Sequence, residues 1–185
     1  MARRLHHASR TLLGMDPDEL ARALELEPLP GEGGRFRRTF ADERSAAIYY
    51  LMIAPDFSAL HRLDVTEIWH HYAGAPARLL ILAADGTVAE PVLGSAVQYG
   101  EQPQIVVPAG AWQAAEPLGE WTLAGCTTAP PFTWEAFALG DPGELAAGWP
   151  QAARRIARLA PQAGLSDGGG GTKGISAIDE RESNG

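Results

Sequence analysis

The sequence predicts an all-β fold, an antiparallel sandwich or small barrel, and three observations carry that prediction. Short apolar and aromatic runs recur from residue 45 to residue 139. Turn residues punctuate them, with Pro55-Asp56, Asp64-Val65-Thr66 and the hairpin signal Asp85-Gly86 between runs. Helical patterning is confined to the two ends of this region.

Each element follows in order. MARRLHHASRTLLG (1–14) is basic but has no apolar run behind its charges, so it is expected to be a flexible N-terminus and not a secretory signal. MDPDELARALEL starts a helix, with Asp16 as N-cap, Pro17 at the first position and Glu19 three residues after the cap. Leu20, Ala23 and Leu24 give that helix one apolar stripe. PLPGEGGRF ends it in a loop, whose GEGG glycines permit a tight path at the mouth of the fold. Glu32 in that loop reads as a solvated acid, with contact to a ligand as the alternative. Arg35, Arg37 and Arg38 alternate partly, on an exposed strand or, facing inward, as binders of a carboxylate or phosphate.

Strands are then expected over 45–53, 57–63, 67–74, 77–83, 87–93, 103–110, 120–128 and 133–139. Residues 143–159 read as helix broken near Pro150, and the Gly-rich, polar stretch 161–185 as a disordered tail. One domain over 15–160 is expected, with its barrel core at about 45–139, and no internal repeat.

Composition excludes several functions. The 185 residues carry a net charge of −8 with only 15 Lys and Arg, which argues against nucleic-acid binding. A single cysteine, Cys126, excludes an internal disulfide and a cysteine-based zinc cluster, and it reads as a small buried hydrophobe. No run approaches the length of a membrane span, so a cytoplasmic protein is expected.

The chemistry concentrates in HRLDVTEIWHHYAG (61–74), which holds three of the five histidines, two acids and a tryptophan. By alternation Phe57, Ala59, His61 and Leu63 share one face, and so do Glu67, Trp69 and His71. Because a short turn joins their strands, His61 and Glu67 are expected opposite each other on one sheet face. A buried imidazole facing a carboxylate is an acid–base pair, two metal ligands, or a core histidine satisfied by one hydrogen bond. Of Tyr49 and Tyr50, one must face inward, where core packing with a bonded hydroxyl is the commoner role. Trp112, beside Gln113, reads as packing.

This stretch resembles the first cupin motif, H-x-H followed by E and, six residues later, G, through His61, Glu67 and Gly74. VVPAGAWQ resembles the second motif, P-x-G-x-x-H, through Pro108 and Gly110. GEGGRFRRTF, AAIYYLM, FSALHRLDVTEIWHHYAGAP, GEQPQIVVPAGAWQAA, WTLAGCTTAPPF and FAL together resemble one branch, the cupin_5 or DUF985 family, over roughly residues 24–140. The resemblance implies a double-stranded β-helix, a jelly-roll barrel open at one mouth, flanked by a short N-terminal helix and a C-terminal helix. It also implies a homodimer and a small-molecule ligand.

Against the general metal-binding pattern, the second histidine falls on Leu63 and that of the second motif on Gln113. No cofactor is therefore expected, with a divalent metal at His61 and Glu67 as the alternative. The resemblance extends to sugar-nucleotide epimerases and isomerases of the same fold, in which a pocket histidine removes a proton next to a carbonyl. His61 would be the base, Glu67 its orienting partner and Gln113 a donor to the enolate oxygen. Trp69 would be a sugar-stacking wall, with Tyr50 and His71 as further ligand contacts. His70 joins the catalytic candidates if a β-bulge near Trp69 turns it inward. A non-catalytic binding protein and a metal-dependent oxygenase or hydrolase are the alternatives.

Overall fold

The Asp16 carboxylate accepts from the backbone N–H groups of Asp18 (3.0 Å) and Glu19 (3.1 Å), so α1 (Pro17–Ala23) begins where its cap signal places it. The computed structural model describes residues 12–161. Most of the expected flexible N-terminus (1–11) and nearly all of the expected disordered tail (162–185) lie outside those residues. Leu12–Gly14, also expected to be flexible, form a 3-10 turn.

After α1 come β1 (Glu27–Pro28), β2 (Arg35–Ala41), β3 (Ala46–Ile53), β4 (Ser58–Leu63), β5 (Thr66–Gly74) and β6 (Ala77–Leu82). Then follow β7 (Val88–Ala89), β8 (Val92–Leu93), β9 (Gln104–Val107), β10 (Trp112–Pro117), β11 (Trp121–Ala129) and β12 (Phe137–Leu139). The expected strand 87–93 is split into β7 and β8 on either side of Glu90-Pro91, because proline cannot donate to a ladder. The strand expected over 103–110 stops at Val107, ahead of Pro108 and of Gly110 at φ 79°. The strand expected over 133–139 shortens to β12, behind a 3-10 turn at Trp134–Ala136. The Asp85-Gly86 turn forms as expected, with Gly86 at φ 87° and the Thr87 N–H on the Asp85 carboxylate.

All the ladders between these strands are antiparallel. One sheet runs β1-β2-β3-β11-β5-β9 and the other β12-β4-β10-β6-β7, with β8 on β6. Their inner faces share a core in which Tyr50, Met52, Trp69 and Cys126 from the first sheet meet Leu79, Ile81 and Ala115 from the second. That is the jelly-roll barrel.

Helices cover both outer faces. Leu20 and Ala21 of α1 pack on Leu51, Ala73, Trp121 and Leu123 of the first sheet. α2 (Pro142–Gly148) and α3 (Ala153–Arg158), separated by a 3-10 turn at Pro150–Ala152, place Leu145 and Ile156 on Leu60, Leu80 and Leu82 of the second. Ion pairs fasten α3: Arg155 reaches Glu90 (3.0 Å) and Glu116, and Arg158 reaches Glu116 (2.8 Å). No helix among the described residues is long and apolar enough to cross a membrane.

Asp16→Ala is expected to cost about 1 kcal/mol, a melting temperature lower by about 2–4 °C, because two N–H groups of α1 lose their acceptor. An unchanged melting temperature in calorimetry would show that α1 is uncoupled from the barrel it covers.

Candidate functional site

Two residues, Asp64 and Val65, separate β4 from β5, and yet the two strands do not pair. β4 lies between β12 and β10 in the second sheet, and β5 between β11 and β9 in the first. The expectation that His61 and Glu67 share one sheet face is therefore corrected. Their ladder neighbours are Gln113 and Leu139 for His61, and Thr128 and Val107 for Glu67. The chain turns a corner between the sheets, so the two side chains meet inside the barrel from opposite walls. Both are buried, with 2% and 7% of their surfaces exposed, and both line one cavity of about 70 Å³, room for several waters.

A relay of hydrogen bonds holds Glu67. Trp69 Nε1 donates to Gln113 Oε1 (2.9 Å), and Gln113 Nε2 donates to Glu67 Oε2 (2.6 Å). Gln113 stands behind the cavity lining with both ends of its amide engaged, so it is not the enolate donor expected of it. It orients the carboxylate. Nor does Glu67 orient His61. The His61 Nδ1 lies 2.8 Å from the Ala59 carbonyl, which can only accept, so the proton sits on Nδ1. Nε2 has no hydrogen bond to any described residue. The imidazole stacks on Phe137, centroids 5.5 Å apart.

Glu32, expected in solvent, lines the cavity. Its carboxylate accepts from Ser58 Oγ (2.7 Å) and lies 3.9 Å from His61 Nδ1. The glycines around it explain its position. Gly33 sits at φ 96° with its α-carbon so close to the chain that a Cβ would come 2.5 Å from the Phe57 carbonyl. The Tyr50 hydroxyl donates to the Gly33 carbonyl (2.8 Å) and the Ala59 N–H to that of Glu32 (2.8 Å). The loop is thereby pinned inward over the mouth. Burial, then the charge of Glu32, pushes the Tyr50 hydroxyl well above its ordinary range. Burial, then Glu67, does the same to the Cys126 thiol, which stays protonated.

The other candidates divide. Trp69 and Tyr50 line the cavity, packed edge-on with centroids 5.7 Å apart. β5 does contain a bulge, but at Tyr72, which the ladder with β11 skips between His71 and Ala73. A bulge past His70 cannot turn His70 inward. His70 sits opposite Gly125, with Nε2 3.3 Å from Thr127 Oγ1 and its ring stacked on Tyr72, away from the cavity. His71 has the inward parity but places Nε2 3.3 Å from the Ala75 carbonyl, also off the lining. Of the three arginines, Arg38 lines the cavity, while Arg35 pairs with Asp18 (3.1 Å) and Arg37 with Glu25 (2.9 Å).

Sequence reasoning missed Thr128 and the aromatic trio Phe132, Trp134 and Phe137, all on the lining. The Thr128 hydroxyl is buried with no hydrogen-bond partner. The density of aromatic and proline residues in PPFTW was the available signal.

Burial, reinforced by the charge of Glu32 and opposed by His61 and Gln113, raises the Glu67 carboxyl from 4.5 to about 6. Between those values the folded protein binds more proton than the unfolded chain, so this contribution to stability falls as pH rises and levels off above about 6. The lost stability is about 2 kcal/mol. Glu67→Gln removes the charge, so it is expected to melt about 4–8 °C above wild type at about pH 8 and alongside it at about pH 4. A variant less stable than wild type at the higher pH would show that the ionised carboxylate is favoured where it sits.

A family model described as Cupin_5, cupin superfamily (DUF985), matches residues 18–140. A protein of Shewanella oneidensis superposes with a TM-score of 0.75 at 29% identity, over 80% of this chain and 99% of its own. A hypothetical protein from Leishmania major gives 0.73 at 23% identity, over 78% of this chain and 98% of its own. A cupin 2 conserved barrel domain protein from Rhodopseudomonas palustris gives 0.52 at 14% identity, over 72% and 83%, a likeness of fold alone. No curated protein matches.

Proposed function

This chain belongs to the Cupin_5 (DUF985) family of the cupin superfamily, and we propose that it is a small-molecule enzyme that moves a proton on a carbonyl-containing or sugar-like metabolite without a metal. One observation carries the reading: a carboxyl raised to about 6 and an imidazole with Nε2 left open share one buried cavity. His61 Nε2 takes the proton from the carbon next to the carbonyl. The protonated form of Glu67, about a tenth of the population at pH 7 for a carboxyl at about 6, donates to the developing enolate oxygen, the role expected of Gln113. Gln113 and Trp69 hold that carboxyl in place, and the apolar wall strengthens each electrostatic contact.

The donor set does not fit the transition metal of metal-dependent cupins. Leu63 offers no donor and both ends of the Gln113 amide are engaged, which leaves His61 Nε2 as the one imidazole donor on the cavity lining. Among the described residues no three His, Cys, Asp or Glu are grouped to hold an ion. A homodimer belongs to the same reading, supported by Phe40, Tyr72 and Val106 standing about half exposed.

The test begins with a thermal-shift panel of ketoses, keto acids and nucleotide sugars. Any stabilising compound is then incubated with the protein in deuterated water and followed by NMR. Deuterium is expected at the carbon beside the carbonyl. A ligand that binds and never exchanges removes the catalytic reading and leaves a binding protein.

A further inference from the structure

Two acids, Glu32 and Glu67, line the cavity. Glu67 is buried and the Glu32 side chain is 11% exposed, and among the described residues neither forms an ion pair with a lysine or arginine. The neighbours of Glu32 are Ser58 and His61, and Glu67 accepts from Gln113. Arg38, on the same lining, already has an interaction of its own. A buried carboxylate with no cation is costly, and a bound cation removes that cost.

Hydrogen-bonding capacity points the same way. Tyr50 gives its proton to Gly33, Trp69 to Gln113 and His61 Nδ1 to Ala59. Apart from the acid proton of Glu67, what remains for a ligand is acceptors: the second oxygen of Glu32 and His61 Nε2. Thr128 adds an independent sign of a ligand. It is only 4% exposed, lies opposite Glu67 in the ladder, lines the cavity, and its hydroxyl has no partner. Phe132, Trp134 and Phe137 close the cavity as an edge-on cluster with centroids 5.1 to 6.2 Å apart. Ring faces attract cations most strongly where water is excluded.

We propose that the ligand carries a protonated amine or ammonium group, seated on Glu32 against the Phe132–Trp134–Phe137 cluster, with Thr128 Oγ1 as a second acceptor. This rests on the proton-transfer reading for the site and narrows its substrate to an amine-bearing carbonyl or sugar-like compound. The ammonium N–H groups meet these acceptors, and the charge pairs with Glu32.

Three probes of similar shape test it: n-butylammonium, n-butanol and butyrate, titrated into the full chain and followed by the indole NMR signals of Trp69 and Trp134. The ammonium ion is expected to bind at least about tenfold more tightly than either other probe. Glu32→Gln keeps an acceptor for Ser58 and is expected to erase most of that preference, with circular dichroism checking the fold. Equal or tighter binding of the alcohol or the acid, no saturable binding of the ammonium ion, or an intact preference in a folded Glu32→Gln variant would each overturn the inference. Deuterium exchange separates the two readings. A preference for ammonium without exchange keeps this inference and removes the proton-transfer reading, whereas exchange on an uncharged ligand without that preference does the reverse.

Discussion

Deuterium exchange into a bound carbonyl ligand is expected to fall by about 10²–10⁴-fold in His61→Ala, the usual contribution of a positioned general base. The argument is geometric. The Ala59 carbonyl fixes the tautomer by taking the Nδ1 proton, and stacking on Phe137 fixes the ring plane, so Nε2 is aimed before any ligand arrives. Glu67→Gln is also expected to slow exchange, because the amide cannot deliver a proton, although the same variant should be the more stable protein above about pH 6. The double variant is expected to be little worse than His61→Ala, since groups that act as a unit are non-additive. Undiminished exchange in Glu67→Gln would sink the catalytic reading.

Trp69→Ala is expected to destabilise the fold by about 3–5 kcal/mol in urea unfolding. The side chain is 1% exposed and packs edge-on against Tyr50, so its loss opens a void at the centre of the barrel. Trp69→Phe separates packing from polarity. It keeps most of the ring but strands Gln113 Oε1, a buried acceptor, at about 1–3 kcal/mol. Exchange should drop in this variant too, because Gln113 then holds Glu67 from one end only. If Trp69→Phe matches wild type in stability and in exchange, the relay from Trp69 through Gln113 to Glu67 has no energetic content.

Much of the fold is legible in the sequence, for identifiable reasons. β3, β5, β6 and β11 are apolar runs bounded by turn residues, and Asp16-Pro17 marks α1. β10 is harder to see because Gln113 and Glu116 are buried within it, and buried polar residues break the alternation that betrays a strand. Of the site, His61, Glu67, Trp69 and Tyr50 are legible because strand parity puts them inside. How they meet is not, because parity gives a face and not a partner. Strands joined by two residues ordinarily pair, and nothing local to Asp64-Val65 says that the chain changes sheets there. Glu32 is hidden for a different reason. A loop acid has no periodicity, and its inward path depends on Gly33 packing against Phe57 and on the distant hydroxyl of Tyr50.

The extra residue at Tyr72 gives β5 two independent halves. Ahead of it Glu67 and Trp69 face the chamber, and after it Ala73 faces α1 on the opposite surface. Without the offset, Ala73, two places after His71, would point inward with it. A lineage of such proteins can therefore vary the first half to change what the chamber accepts and the second to tune how the helix docks. Neither drift need disturb the other. Removing Tyr72 would leave Ala73 opposite Leu123, so the later side chains would keep their sides and only the local twist would relax.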